Sequence, residues 1–317
     1  MSAGWVAGSV RARALARRHL GSEGARRIAR AGSLRAALEA LTSTSYGRDI
    51  RPGQSLAGVQ HAVASTLLWH LRVLAGWLPR GGAGMLRTLT GWFEIANTDE
   101  LLDGLTGGVP GPTFQLGALA TTWPRLQTAG SVAELRAALA SSPWRDPGGQ
   151  EPRTIRLGMR VSWAARVASL PYPAPSWAAA AAALMVAGEM FAAGRELPDF
   201  TRAQLSGLLG SAALQAQTFD DLARRLPARA RWVLPTGAVQ GGLWQAEARW
   251  WARVERDGFT LLASSGFARE PVLGAVAVLT ADAWRLRAAL EMATRGGQQL
   301  DAYDAVAYDV LACDEPA

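Results

Sequence analysis

No long stretch of this chain alternates apolar with polar residues and β-branched residues are sparse, so helices are expected and strands have little support. One short pattern appears three times. Ser33 precedes Leu34, Ala37, Leu38 and Leu41; Ser131 precedes Val132, Leu135 and Leu139; Thr218 precedes Phe219, Leu222 and Leu226. In each case a capping hydroxyl opens a two-turn helix whose apolar residues fall on one side. Ser131 with Glu134 and Thr218 with Asp221 also have capping-box spacing, in which the acid reaches back to the cap's own N–H.

Each start is followed by an interruption: Tyr46-Gly47, then Pro143-Trp144 with Asp146-Pro147-Gly148-Gly149, then Pro227 with Trp232 and Pro235. Longer helical stretches come next, Leu86 to Gly107, Trp177 to Gly194 and Val272 to Gly296, each consistent with closure by a C-terminal glycine. The capping residues are 98 and then 87 positions apart, too long for a solenoid repeat but suited to three related helical domains. Val109-Pro110-Gly111-Pro112 and Pro198-Asp199 place the boundaries, giving domains 1–111, 112–199 and 200–317. The expected fold is all-α, with three similar helical domains.

At 317 residues and 49% apolar content the chain can bury a sizeable core. A net charge of +7 and a pI near 10.7 bring nucleic acid or an anionic membrane surface into consideration. Every basic residue is Arg, however, and the arginines form no single tract with interleaved aromatics, so no nucleic-acid partner is expected. Arg11, Arg13, Arg17, Arg18, Arg26, Arg27, Arg30 and Arg35 crowd the N-terminal part. The tail from Gln298 to Ala317 carries Asp301, Asp304, Asp309, Asp314 and Glu315 with no base. Either these are two solvated faces, or one meets the other or a partner of opposite sign.

The single cysteine, Cys313, excludes an intrachain disulfide and a multi-cysteine zinc site, and fits a reducing compartment. Arginines intersperse Val10 to Arg18, which leaves no apolar signal core and predicts a cytoplasmic protein. Trp177 to Gly188 is apolar for only twelve residues before Glu189 and is rich in alanine, so a buried helix is expected there. Membrane contact is then peripheral and through partners.

Without lysine the chain cannot carry a Walker A motif, and Gly81-Gly82-Ala83-Gly84 follows no strand pattern. His61 and His70 would fall on opposite faces of one helix, and His19 reads as a solvated surface residue. No Gly-x-Ser-x-Gly turn is present. No catalytic residue, cofactor, metal or small-molecule substrate is expected. Of the 13 tryptophans, Trp244 and Trp251 share a helical stripe with Glu247, with Trp250 beside it. That set, like Trp5, Trp69 and Trp77, is expected in the core. The most specific stretch runs from Phe93 to Gly108: Phe93, Asn97 and Leu101 form one stripe, and the Asn97 amide is expected to tie this helix to the next one.

Phe93-Glu94-Ile95 with Asn97, closed by Gly107, resembles a helix of the rotor-collar family of V/A-type ATPases, found in archaeal, bacterial and eukaryotic complexes, which typically reads Phe-Asp-Ile-x-Asn-Leu before a Gly-rich end. The N-terminal part is similar too, with Val10-Arg11-Ala12-Arg13 and with Thr44-Ser45-Tyr46-Gly47 at the end of a short helix. The resemblance covers residues 1 to 108 well and the remainder mainly through helix pattern. It implies three similar helical domains arranged as a funnel. The implied role is non-catalytic: a central-stalk collar between the rotor shaft subunits and the membrane proteolipid ring, coupling ATP hydrolysis elsewhere to proton or sodium transport. Departures are Glu94 for Asp, Asp103 where the family has a basic residue, and the lack of an acid-x-x-Asn pair in the second and third long helices. A helical scaffold unrelated to ATPases and a basic nucleic-acid binder are the alternatives.

Overall fold

The computed structural model describes residues 3–234 and 242–296. Among them the regular structure is entirely helical, with no strand. In chain order the α-helices are α1 (Ala3–Ala16), α2 (Gly21–Ala29), α3 (Leu34–Thr42), α4 (Leu56–Gly76), α5 (Arg80–Leu89), α6 (Gly91–Leu105), α7 (Trp123–Leu126) and α8 (Val132–Ala140). They continue with α9 (Pro152–Val167), α10 (Ala174–Val186), α11 (Asp199–Leu209), α12 (Ser211–Leu214), α13 (Phe219–Arg225), α14 (Ala228–Arg231), α15 (Leu243–Leu262) and α16 (Arg269–Thr294). A 3-10 turn at Gly47–Asp49 follows α3, and a π-helical stretch, Ala187–Ala192, extends α10.

The three expected caps form. Ser33 Oγ accepts from Ala36 N at 3.2 Å, Ser131 Oγ from Glu134 N at 3.2 Å and Thr218 Oγ1 from Asp221 N at 3.1 Å. The reciprocal bonds are displaced by one residue from the expected ones: Glu134 takes the N–H of Gly130 at 2.9 Å and Asp221 that of Gln217 at 3.2 Å. The acid thus satisfies the donor preceding the cap. The expected glycine stops are present as well, with positive φ at Gly107 (86°), Gly194 (61°) and Gly296 (76°). The stretch from Leu86 to Gly107 is not one helix but α5 and α6, which meet at Thr90.

The chain forms two compact units, Met1–Leu86 with Trp251–Ala317, and Arg87–Trp250. The boundaries expected near residues 111 and 199 fall inside the second. In the first unit α16 is the spine, and α1, α2, α3 and α4 pack along it. Its residues from Pro271 to Leu279 are buried without interruption, which is why this stretch reads as apolar all round. α1 approaches the turn after α4 closely: a Cβ at Gly8 would come within 2.3 Å of Leu78 Cδ2.

The second unit has two apolar clusters. One gathers Ile95, Leu102, Leu126, Leu135, Leu139, Trp144, Ile155 and Met159 from α6 to α9. The other joins the alanines of α10 to Leu205, Leu208, Leu222 and Leu226. The 19-residue stretch Ala174–Ala192 is long and apolar enough to cross a membrane by composition alone, and half of its apolar window is buried inside the protein. The acidic tail and Cys313 lie outside the described residues.

Candidate functional site

Phe93, Glu94, Ile95 and Asn97 are all buried on α6. Asn97 Nδ2 donates to the Phe114 carbonyl at 2.9 Å, and its Oδ1 accepts from Phe114 N at 2.6 Å. The expected tie to the next helix is therefore corrected: the amide holds the irregular segment after α6 instead. A primary amide carries an acceptor and a donor side by side, which here pair with the N–H and C=O of the single residue Phe114. The Phe93 ring meets the Phe114 ring edge-on, with centroids 5.0 Å apart. At the end of α6 the Gly108 N–H bonds to the Asp103 carbonyl at 2.7 Å across Gly107, a six-residue closure that requires the positive φ found there.

Glu94 is 1% exposed and accepts three hydrogen bonds, from Thr121 N (2.6 Å), Thr122 N (2.8 Å) and Trp144 Nε1 (2.7 Å). The two amides belong to the N-cap of α7 and the residue before it, so the carboxylate anchors the entry to a helix that has no side-chain cap of its own. The Arg166 guanidinium lies 4.8 Å from the Trp144 ring centre. Burial lowers the Arg166 pKa, and the charge of Glu94 opposes that shift.

The first unit repeats this construction with different residues. Asp282 of α16, 1% exposed, accepts from Leu20 N (2.9 Å), Gly21 N (2.8 Å) and Tyr46 Oη (2.9 Å). These amides belong to the N-cap and first residue of α2, one position further into the helix than at α7. Tyr46 stands thirteen residues after the Ser33 cap, and Trp144 thirteen after Ser131. Burial, then the charge of Asp282 and their hydrogen bond, push the Tyr46 hydroxyl well above its ordinary pKa. In the third segment Trp232 follows Thr218 by fourteen, and its Nε1 donates to Ser176 Oγ (3.1 Å) and the Arg229 carbonyl (2.9 Å). There α10 offers buried alanines, Ala178 to Ala180 with Ala182 and Ala183, in place of a carboxylate.

No protein-family model and no curated protein matches the chain.

The other residues picked out by sequence have structural partners. Arg13 Nε donates to the Leu262 carbonyl at 3.2 Å, and its Nη2 to those of Ser264 and of Gly266 (2.9 Å), so it fixes the chain between α15 and α16. Arg11 is half-buried. Gly47 sits where a Cβ would lie 2.2 Å from the Thr42 carbonyl oxygen, which explains why glycine follows Tyr46. His61 and His70 both lie on α4, and no group of metal-ligating side chains gathers among the described residues. His19 is not simply solvated, because its ring packs edge-on to Phe259 at 5.3 Å.

The tryptophan stripe enters the core only in part: Trp250 packs against the second cluster and its Nε1 donates to the Trp177 carbonyl at 2.9 Å, whereas Trp244 stays outside. Trp244 is 46% exposed and Glu247 is exposed, while Trp250 and Trp251 are half-buried; Ala246, Ala248, Ala252, Val254 and Glu255 are among the buried residues of α15. Trp77 and Trp69 are exposed too. Sequence reasoning missed Asp282, and with it the buried pair Arg285–Glu255, in which Arg285 Nη1 bonds to Glu255 Oε1 at 3.0 Å. The available signal was a lone acid within Val276-Leu279-Ala281-Ala283, since a charge placed in a buried stripe needs partners. What the two carboxylate sites do chemically is join helices: each acceptor is turned toward backbone and ring donors.

Proposed function

We propose that this chain is a non-catalytic central-stalk component of a V/A-type rotary ATPase, coupling a rotating shaft to a membrane proteolipid ring. The observation that carries the reading is the duty of the most specific motif. Glu94 and Asn97, which resemble the acid and amide of the family helix, hold the entry to α7 and the segment before it. Rotor coupling requires stiffness and docking surfaces rather than a reacting group, and buried carboxylates bonded to backbone amides provide stiffness. Tyr46 and Asp282 repeat the arrangement in the first unit, which supports a relation between two of the three segments. A funnel of three similar domains, peripheral on the cytoplasmic face of the membrane, belongs to the same proposal.

Affinity capture of the tagged full chain from gently solubilised membranes of its own organism tests the partners. Shaft and proteolipid subunits of the ATPase should be enriched in its eluate over a tag-only control. Enrichment of other proteins alone would favour a helical scaffold. Nucleic acid retained at low salt and released steeply as salt rises would favour the basic binder.

A further inference from the structure

We propose that Arg11, Arg18 and Arg48, gathered beside His70 in the first unit, form a binding site for a phosphate group. Ser45 fixes the geometry. Its Oγ donates to the Arg18 carbonyl at 2.7 Å and its backbone hydrogen-bonds the His70 ring, so the end of α1 lies beside this residue of α4. Arg48, from the 3-10 turn, places its guanidinium 4.3 Å from the Trp69 ring centre, and that ring meets the His70 ring edge-on with centroids 5.0 Å apart. Arg11 precedes Arg18 by seven residues, about two helical turns, and so lies on the same side of α1. The charges of Arg18, Arg48 and Arg11 all act on His70, and each lowers its pKa.

The cluster lacks counter-charge. Arg11 and Arg18 make no ion pair among the described residues. Arg48 has Asp49 beside it at 3.9 Å, a pair open to solvent on both sides. α16 also packs on α4, but its Asp282 is taken by Tyr46 and the amides of Leu20 and Gly21, and its Glu291 accepts from Gln60 at 3.1 Å. Hydrogen bonding is incomplete as well. His70 is 7% exposed and its Nδ1 has no partner among the described residues, and neither has the buried Nε of Arg11. Buried polar atoms left unbonded are uncommon in folded proteins, and a missing ion is one of their ordinary causes. Arg18 and Arg48 are exposed, so an anion reaches the cluster from solvent. Guanidinium forks match the oxygens of a phosphate, and a dianion neutralises several cations where a single carboxylate neutralises one. His70 lies behind the arginines, and a bound dianion acts on it through space by favouring the charged ring. The ligand class is a phosphate monoester or diphosphate, either free or as a lipid headgroup.

The site is independent of the ATPase reading, because it concerns the isolated chain alone. Calorimetric titration of the purified full chain with inorganic phosphate and with pyrophosphate, at low ionic strength, should show saturable binding. Arg11→Gln and Arg18→Gln should each weaken it about tenfold, whereas Arg35→Gln, which removes the same charge from a side chain 85% exposed, should change it by less than about twofold. Circular dichroism establishes that each variant is folded. The chain has three histidines, so NMR follows their rings separately, with His70→Gln assigning one signal. Sulfate, whose charge is constant across the histidine range, should raise the His70 pKa in the wild type and not in Arg18→Gln. Flotation with phosphatidylcholine vesicles, with and without phosphatidic acid, separates the two sources. Capture by the acidic vesicles that Arg18→Gln abolishes assigns a lipid headgroup, and binding of the soluble phosphates alone assigns a free phosphate compound. No saturable binding to phosphate, pyrophosphate or acidic vesicles, equal losses for Arg35→Gln and Arg18→Gln, or a His70 signal that sulfate leaves unmoved would overturn the proposal.

Discussion

Asn97 is fully buried and bonded twice to one backbone residue, so Asn97→Ala leaves a carbonyl and an N–H of Phe114 without their partner. Chemical denaturation should show a loss of about 1–3 kcal/mol. Neighbouring acids look like natural controls in the sequence but are not, because Asp99 pairs with Arg160 and Glu100 accepts from Gly111 N. Arg35, with its side chain 85% exposed, is a sound control, and Arg35→Ala should change stability by less than about 0.5 kcal/mol. An unchanged midpoint for Asn97→Ala would remove this amide from the account of stability.

A second residue-scale prediction concerns His70, which is buried on α4, with Nδ1 lacking a partner among the described residues. Burial lowers its pKa, and the nearby charges of Arg18, Arg48 and Arg11 lower it further, against a hydrogen bond to the Ser45 backbone. Below the ordinary histidine range of about 6.5 the unfolded chain takes up a proton that the folded chain resists, so this residue destabilises the fold as pH falls. Denaturation midpoints measured from about pH 7.5 to about 5.5, a window that brackets the ordinary histidine pKa, should fall more steeply for the wild type than for His70→Gln. Parallel curves would show that His70 is not the group responsible.

At the scale of elements, the capped short helices and the glycine stops were legible because each rests on local chemistry: a hydroxyl three residues before an N–H, or a backbone that needs positive φ. What was illegible depends on residues far apart in sequence. Asp282 meets Leu20 and Tyr46 across separations of 262 and 236 positions, and no periodicity along α16 announces that contact. The tryptophans of α15 misled for a related reason. Alanines at Ala246, Ala248 and Ala252 take the close-packed face, the Trp250 and Trp251 rings lie half-buried and Trp244 is left outside. Glycines show the same dependence on context. A Cβ at Gly47 would collide with the Thr42 carbonyl, whereas Gly81 of α5 has nothing within 4 Å. Gly47→Ala should therefore destabilise by about 1–3 kcal/mol, and Gly81→Ala should stabilise by up to about 1 kcal/mol through helix propensity. Thermal unfolding of the two variants side by side checks both signs, and a harmless Gly47→Ala would mean that the turn after α3 yields easily.

At the scale of the whole molecule, all-helical character followed from the sequence, while the partition into two units did not. α16, from the last third of the chain, takes α1, α2 and α4 as its neighbours, so sequence-contiguous domains and compact units differ. In the proposed role, a coupling element would act through the stiffness of such non-local joints. Its loss should leave ATP hydrolysis intact and abolish the work done with it. The decisive measurement is ATP hydrolysis and ATP-driven ion uptake, assayed together in membrane vesicles from cells lacking this chain and again after the purified chain is added back. Hydrolysis should persist, ion uptake should be lost, and the added wild-type chain should restore uptake. Vesicles without the chain that pump ions as well per ATP hydrolysed as those with it would contradict the proposed function outright.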